Sequence, residues 1–150
     1  MTGADPAPAA AGPGRTVVRA SWAGTAVFTV SAVVGVALEG ARGVFVAVSL
    51  VLFAAGLGAF VWSFGRAVVR SQEEEIAVAS LWFLMGSAPA AVRNSLLASL
   101  AVEVVVAVAA ASARPFTPMA FGILVPVYGL GLCGVWAARH GRFPARDRRP

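Results

Sequence analysis

The sequence has no lysine, a single cysteine and a single histidine, and only 13% of its 150 residues are charged. Cys133 has no second cysteine with which to form an intrachain disulfide, and a cysteine-based zinc site needs more than one cysteine ligand. The sequence also lacks a glycine-rich nucleotide-binding loop and a cluster of polar catalytic residues. We therefore predict that the chain is not an enzyme and that it holds neither a metal ion nor another cofactor.

Hydrophobic residues, in contrast, make up 59% of the chain, and the mean hydropathy is +0.80. A soluble domain is typically about half apolar and about a quarter charged. Too little polar surface is therefore present to cover a water-soluble globule, and lipid is the expected solvent. The twelve basic residues are all arginine and flank the apolar segments, so the isoelectric point near 11.3 favours membrane topology and anionic lipid over nucleic acid.

Four apolar segments have the length of a membrane-spanning helix, over residues 20–38, 44–64, 95–113 and 117–138. Short turns at Gly40 and Pro115 join the first segment to the second and the third to the fourth. Such turns produce antiparallel neighbours. We predict an all-α membrane protein of two antiparallel helical hairpins, in which Pro126 kinks the fourth span and leaves the carbonyl of Gly122 without its usual donor.

The remaining segments are expected outside the bilayer. Residues 1–19 are predicted to be a disordered tail, and residues 139–150 a basic disordered tail. Between the second and third spans, Ser71 and Glu74 fit a capping box. This favours an interfacial or re-entrant helix on the cytoplasmic side over about residues 72–85.

Arginine positions predict the orientation of the chain in the membrane. With the N-terminus in the cytoplasm, ten arginines lie inside and only Arg42 and Arg114 lie outside, as the positive-inside rule requires. The tryptophans are expected to form a belt at the same cytoplasmic interface, at Trp22, Trp62, Trp82 and Trp136. We predict a multi-pass protein of the plasma (inner) membrane with both termini in the cytoplasm.

One carboxylate, Glu103, lies near the middle of the third apolar segment. A charged side chain at the bilayer centre costs roughly 2.5–3.5 kcal/mol on insertion scales, and loss of hydration favours its protonated form. Small residues repeat every four positions around it, at Ser95, Ser99, Ala107 and Ala111. This spacing places Glu103 on a helix face that suits close packing against another helix, and not toward lipid.

Two interpretations of Glu103 follow from this position. It is either a proton or cation site, or a protonated acid that fixes helix packing by hydrogen-bonding a neighbour. The candidate partners are Ser99 on its own helix, Thr25, Thr29 and Ser31 on the first span and Tyr128 on the fourth. The sequence leaves both interpretations open.

Arginines of the C-terminal tail are candidate contacts to anionic lipid or to a protein partner, at Arg139, Arg142, Arg146, Arg148 and Arg149. Each basic residue near an anionic leaflet contributes about 1 kcal/mol of attraction. The expected partners are therefore the bilayer, with anionic lipid on its cytoplasmic side, and a second copy of the chain or a larger membrane protein.

Three segments carry a resemblance to known proteins: GSAPAAVRNSLL (86–97), ARPFTPMAFGILVP (113–126) and YGLGLCGVWAARHGRFP (128–144). Together they resemble small conserved actinobacterial integral membrane proteins, over about residues 60–145. The resemblance implies an inner-membrane protein and no particular activity. Small multidrug resistance transporters are a looser analogy, with four spans and one embedded glutamate, but theirs lies in the first span whereas Glu103 lies in the third.

These observations favour a non-enzymatic accessory or scaffold subunit of cell-envelope machinery. The alternative is a small proton-coupled transporter that uses Glu103. The two hypotheses differ over whether that carboxyl has to exchange its proton.

Overall fold

The computed structural model describes residues 14–145, and over that range the chain is almost entirely helical. The five α-helices are α1 (Arg15–Ala37), α2 (Arg42–Arg70), α3 (Val78–Trp82), α4 (Ala90–Ala113) and α5 (Pro126–His140). Two 3₁₀ segments, Glu39–Ala41 and Pro118–Leu124, lie between α1 and α2 and between α4 and α5.

Four helical stretches are long and apolar enough to cross a membrane, over Arg15–Ala37, Glu39–Arg70, Ala90–Ala113 and Pro118–His140. This confirms the prediction of an all-helical chain with four candidate spans. Each helix is longer than its predicted span at the end of the bundle where α1 and α4 begin. The additional helical residues include arginines, which lie outside the apolar segments used to predict the spans. These arginines are Arg15, Arg70 and Arg93.

The direction of the helices follows from which residues meet. Ser21, early in α1, lies 2.7 Å from Ser99, early in α4, while Arg114 at the far end of α4 reaches the carbonyl of Val36 near the end of α1. The two helices therefore run side by side in the same direction. We call the end of the molecule that holds the starts of α1 and α4 the terminal end, because both described chain ends lie there.

The fourth stretch passes from a 3₁₀ helix to an α-helix at Val125, and we call this point the break. Pro118–Leu124 is a 3₁₀ helix, and α5 begins only at Pro126. The N–H of Val125 donates to the carbonyl of Gly122 at 3.0 Å. A 3₁₀ bond thus supplies the donor that proline cannot, and the Gly122 carbonyl is not left open as predicted. The break places the first turn of α5 inside the bundle.

Glycines let α2 and α5 approach each other closely. A Cβ added to Gly56 would collide with the backbone of Tyr128, and one added to Gly131 would collide with the carbonyl of Gly56. Small residues at such crossings allow backbone-to-backbone packing of membrane helices. This crossing fixes the position of the first turn of α5 against the rest of the bundle.

Two clusters of buried apolar side chains stabilise the bundle. One, at the terminal end, includes Leu84, Leu96 and Trp136, and the other includes Phe28 and Ala107. Because Leu96 and Ala107 lie on either side of Glu103 along α4, the carboxyl lies between the two clusters.

The segment between α2 and α4 differs from the helix predicted over 72–85. The helix there, α3, has only five residues, Val78–Trp82, and Ser71 is the C-cap of α2 and not the N-cap of a new helix. Its hydroxyl donates to the carbonyl of Val68. The helix α2 therefore uses Ser71 to complete its own last turn, which removes the predicted capping box.

Residues 141–145 are also ordered by specific contacts, although a disordered tail was predicted from residue 139. The N–H of Glu75 donates to the carbonyl of Pro144, and that of Arg142 donates to the carbonyl of Ser87. Arg70 bonds Glu74 and the carbonyls of Ala138 and Gly141. The chain leaving α5 therefore packs on the segment that follows α2. Similarly, residues 15–19 belong to α1 and not to a disordered tail, whereas residues 1–13 and 146–150 lie outside the described range.

The predicted tryptophan belt is present only in part. Trp22 and Trp62 are about 40% exposed, but Trp82 and Trp136 are only 7% and 1% exposed. Trp82 stacks on Phe60 with ring centroids 4.0 Å apart. Two of the four indoles therefore fill the core at the terminal end and are not exposed as the predicted belt requires.

Candidate functional site

Glu103 is completely buried in the middle of α4. The buried residues of α4 are spaced three or four apart around it, at Leu96, Ser99, Ala107 and Ala110. This is the spacing of one helix face, and it turns the carboxyl away from lipid as the sequence predicted. The face meets α1 and α5.

Two helices other than its own bind the Glu103 carboxyl. Its Oε1 lies 2.8 Å from the Thr25 hydroxyl oxygen of α1, within hydrogen-bonding distance, and its Oε2 accepts a hydrogen bond from the Gly129 backbone N–H of α5 at 3.1 Å. One side chain therefore joins α1, α4 and α5 at the level where the fourth stretch breaks.

The contact to Gly129 depends on two features of the chain. A Cβ at position 129 would lie 2.6 Å from Glu103 Oε2, so only glycine leaves room for the carboxyl. Pro126 starts α5 three residues earlier, and the first N–H groups of a helix point outward with a partial positive charge. The break in the fourth stretch thus presents a helix start to the carboxyl.

Hydroxyl groups extend the network toward the terminal end. Thr25 Oγ1 lies 2.8 Å from Ser99 Oγ, and Ser99 Oγ lies 2.7 Å from Ser21 Oγ. Thr25 Oγ1 also lies 2.9 Å from the backbone carbonyl of Ser21. All three hydroxyl side chains are almost fully buried. A continuous chain of oxygen atoms therefore runs from Ser21 to Glu103.

Counting protons shows which protonation state of Glu103 satisfies more of this network. Four short oxygen–oxygen distances link Ser21, Ser99, Thr25 and Glu103, whereas three hydroxyl groups supply only three protons. If Glu103 is ionised, Thr25 has to donate its only proton to the carboxylate, and no proton remains for the contact between Thr25 and the Ser21 carbonyl. If Glu103 is protonated, the carboxyl supplies the fourth proton.

The protonated arrangement satisfies every group. Glu103 donates to Thr25, Thr25 donates to the Ser21 carbonyl, Ser99 donates to Thr25 and Ser21 donates to Ser99. Thr25 then donates once and accepts twice, which is the full capacity of a hydroxyl. Glu103 Oε2 still accepts from the Gly129 N–H. The geometry therefore fits a neutral carboxyl, which is also the less costly form in a membrane interior.

Some of the predicted partners lie elsewhere. The Tyr128 hydroxyl donates to the carbonyl of Ala20 at 2.7 Å, not to Glu103. Thr29 and Ser31 donate to carbonyls of their own helix, those of Thr25 and Phe28. Tyr128 thus joins α5 to α1 independently of the carboxyl, and Thr29 and Ser31 make no bond across helices.

Two members of the network were not among the predicted site residues. Ser21 lies on the four-residue repeat that also contains Thr25, so its position carried a sequence signal. Gly129 contributes only its backbone N–H, which no side-chain pattern reveals. Its involvement depends on where α5 begins and on how closely α5 packs against α4.

Two of the predicted arginine contacts lie in the described part of the chain, and they have different surroundings. Arg139 lies over the Trp62 ring, 4.9 Å from its centroid, and Arg142 lines a cavity with His140. The other three predicted arginines, at positions 146, 148 and 149, lie outside the described residues. Of the predicted contacts, therefore, Arg139 lies on an exposed indole and Arg142 faces a cavity.

Among residues 14–145, histidine, cysteine and carboxylate side chains form no group of the kind that holds a metal ion. No protein-family model, curated protein or solved structure shows significant similarity to this chain. The chemistry of the site therefore has to be argued from its own geometry, which provides one buried carboxyl, three hydroxyl groups and the start of one helix.

Proposed function

We propose that this chain is a non-enzymatic membrane subunit that supports or scaffolds a larger membrane protein of the bacterial cell envelope. The observation that carries the proposal is the outward face of α2. This face has small side chains where lipid contact alone would favour large ones, at Ala47, Ala54, Gly58 and Gly65, all exposed. Their spacing of seven and four residues places them along one stripe.

Gly58 and Gly65 are the distinctive members of this stripe. An added Cβ at either position would meet nothing within 4 Å, so neither glycine is required by packing inside the chain. Glycine in a helix costs about 1 kcal/mol relative to alanine. A partner helix that packs closely against α2 compensates for this cost, because small residues let membrane helices approach.

The proposed arrangement in the membrane is two antiparallel hairpins with both termini in the cytoplasm. The arginines support it, since Arg15, Arg19, Arg66, Arg70 and Arg93 all lie toward the terminal end. The resemblance to small actinobacterial membrane proteins supports the inner membrane as the location. Cysteine labelling of an Ala145→Cys variant in intact cells tests the orientation. Reaction with a membrane-impermeant reagent from outside would overturn it.

Site-specific photocrosslinking tests the subunit proposal. A crosslinking amino acid in place of Val61, which lies one turn after Gly58 and is 61% exposed, is expected to yield one discrete protein adduct in native membranes, because it borders the contact without filling it. The matched control is position 105 on α4, where Val105 is 66% exposed on another side of the bundle. An absent adduct at position 61, or the same adduct at both positions, contradicts the proposal. An adduct of twice the chain mass would identify the partner as a second copy.

A second variant shows whether the contact is specific. Gly58→Leu is expected to reduce co-purification of the partner in mild detergent, because the added side chain separates the helices. Ala101→Leu enlarges an exposed side chain of α4, one turn before Val105 and away from this face of α2, and is expected to retain the partner. Equal loss in both variants would point to a general defect in the chain.

A small proton-coupled transporter is the second candidate function. The change of helix type in the fourth stretch supports it, because half-helix N-termini in transporters with discontinuous helices point at anionic groups of the substrate, and the start of α5 points at a carboxyl in a similar way. The connected hydroxyl chain from Ser21 to Glu103 offers a path for a proton. The complete burial of Glu103 favours the subunit proposal instead, since transport requires access to water.

Flux measurement separates the two candidates. Reconstituted wild-type protein that moves a proton with a substrate should lose that coupling in Glu103→Gln, which keeps the shape but cannot release a proton. Thr29→Val is the matched control, because Thr29 bonds only its own helix. Absence of proton-coupled flux in the wild type, or unchanged flux in Glu103→Gln, eliminates the transporter.

A further inference from the structure

The terminal end holds a basic cavity that the Glu103 network does not use. This cavity, of about 510 Å³, lies between the start of α1 and the start of α4. Its polar lining consists of Arg15, Arg19, Ser95 and the indole of Trp136, and the rest of its lining is apolar. Pockets of a few hundred Å³ with a few converging polar groups are typical of ligand sites.

Trp136 provides the strongest sign that something binds there. The residue is 1% exposed, and its Nε1 is buried against Gly14 with no hydrogen-bond partner among residues 14–145. A buried donor without an acceptor costs about 1–3 kcal/mol, so an orphaned indole N–H requires an explanation. Because Trp136 lines the cavity, a ligand acceptor placed beside Gly14 would satisfy this N–H.

The positive charges around the cavity favour an anion as its ligand. Arg15 and Arg19 are exposed and form no ion pair within the described part of the chain. Ser95 Oγ accepts a bond from Trp22 Nε1 at 3.0 Å, which leaves its own proton free to donate. Two arginines, an indole and a hydroxyl therefore offer donors to one ligand, and this set contains no carboxylate.

The N-termini of two helices add to the positive electrostatic field of the cavity. Neither α1 nor α4 has a side-chain cap at its N-terminus, where Gly14 and Pro89 are the capping residues. Uncapped helix starts leave several N–H groups without partners and carry partial positive charge, which is why phosphate groups bind there. Pro89 itself lines the cavity, so the start of α4 faces it directly.

A neighbouring cavity continues the basic surface on the other side of the same indole. It has a volume of about 300 Å³ and is lined by Trp136, Pro89, Ser87, His140 and Arg142. Trp136 and Pro89 are shared by both cavities. The positive potential at this end of the bundle therefore extends past the indole, toward the point where α5 ends.

We propose that the cavity lined by Arg15, Arg19, Ser95 and Trp136 binds the phosphate group of an anionic phospholipid. The position favours lipid over a free anion, because the cavity lies at the end of two membrane-spanning helices, at headgroup depth, with the apolar side chains of Val18 and Val92 beside it. Basic pockets between spans on the cytoplasmic side are a known kind of lipid-headgroup site.

Native mass spectrometry of the purified full chain measures this binding, with phosphatidylglycerol as the probe and phosphatidylcholine as the zwitterionic comparison. The wild type is expected to retain phosphatidylglycerol in preference. Arg15→Gln/Arg19→Gln should weaken that binding about 30-fold, since two basic contacts of roughly fivefold each are lost. Trp136→Phe keeps the ring and removes the N–H, and it should weaken binding about fivefold.

The matched control is Arg66→Gln/Arg139→Gln. It removes the same charge at the same end of the molecule, from two arginines that lie over Trp62 and outside the cavity. This control should bind phosphatidylglycerol like the wild type. Equal weakening in the control, or unchanged binding in the Arg15→Gln/Arg19→Gln variant, would overturn the proposal.

Competition with free phosphate distinguishes the two possible ligands, a lipid headgroup and a free anion. Inorganic phosphate should displace phosphatidylglycerol poorly, because it lacks the acyl chains that hold the headgroup at this depth. Displacement at equal concentration would overturn the assignment to lipid. Circular dichroism checks that Trp136→Phe folds, and the exposed arginine variants test the site even if it does not. None of these variants touches α2, so failure here leaves the subunit proposal intact.

Discussion

Replacement of Glu103 by glutamine is the sharpest test of the protonated network. A glutamine amide placed on the carboxyl can donate from Nε2 to Thr25 and accept at its oxygen from the Gly129 N–H. These are the roles that a protonated carboxyl has between the same two partners. Glu103→Gln is therefore expected to change the free energy of unfolding by less than about 1 kcal/mol.

Glu103→Leu provides the contrast, because leucine has a similar size and no hydrogen-bonding group. It leaves the Gly129 N–H unpartnered in the bundle, which costs about 1–3 kcal/mol, and removes the bond to Thr25, worth about 0.6 kcal/mol between membrane helices. The expected loss is about 1.6–3.6 kcal/mol. Unfolding by sodium dodecyl sulfate in mixed micelles, followed by circular dichroism, measures both variants.

The comparison refutes the assignment if Glu103→Gln is destabilised as much as Glu103→Leu. An ionised carboxylate would make charge-assisted bonds, worth about 1.5–3 kcal/mol each, that glutamine cannot replace. Infrared spectroscopy gives a direct check on the same point. The wild type should show the C=O stretch of a protonated carboxyl, and this band should be absent from Glu103→Gln.

Three further predictions use the same unfolding assay or limited proteolysis. Thr25→Val should cost about 1–2 kcal/mol, because it removes the hydroxyl at the centre of the network, whereas Thr25→Ser should retain most of the stability; equal losses would show that the hydroxyl is unimportant. Gly56→Ala should cost about 1–3 kcal/mol, because its Cβ collides with the Tyr128 backbone. Gly58→Ala, on the same helix but facing open space, should be neutral or slightly stabilising, and a penalty as large as that of Gly56→Ala would contradict the packing. Arg70→Gln removes bonds to two carbonyls at the end of α5, so proteases should cut faster beyond α5, and an unchanged rate would show that other contacts hold that segment.

The position of Glu103 was predictable from local sequence. A helix of membrane-spanning length with small residues every fourth position determines which face is suited to packing, since that face follows from 3.6 residues per turn. Ser99 lies one turn before Glu103 on this face, and Thr25 lies on the equivalent stripe of α1. The structure brings all three together.

The partner on α5 was not predictable in the same way. The sequence offered the Tyr128 side chain, but Tyr128 reaches the Ala20 carbonyl and the adjacent Gly129 N–H reaches the carboxyl instead. A backbone donor becomes available only where a helix starts, and the start of α5 depends on the 3₁₀ segment before Pro126. Proline indicated that the helix is interrupted but not that seven residues before it leave the α conformation.

In the segment between α2 and α4, a local sequence pattern predicted a helix start that the chain does not adopt. Ser71 and Glu74 have the spacing of a capping box, but the same serine also completes the last turn of α2. Local spacing cannot decide between these two uses. The contacts of Arg70 with Glu74 and with the end of α5 favour the turn that the structure adopts.

The sequence by itself determined that this chain is helical, that four stretches are suited to lipid, and that one carboxyl faces the inside of the bundle. These follow from hydrophobicity and helical periodicity, which act within a single segment. Only the tertiary structure decided that Glu103 joins three helices, that a neutral carboxyl satisfies every group of its network, and that the buried Trp136 indole N–H has no partner among the described residues. Those features depend on distances between segments far apart in the chain, and such distances are set by packing.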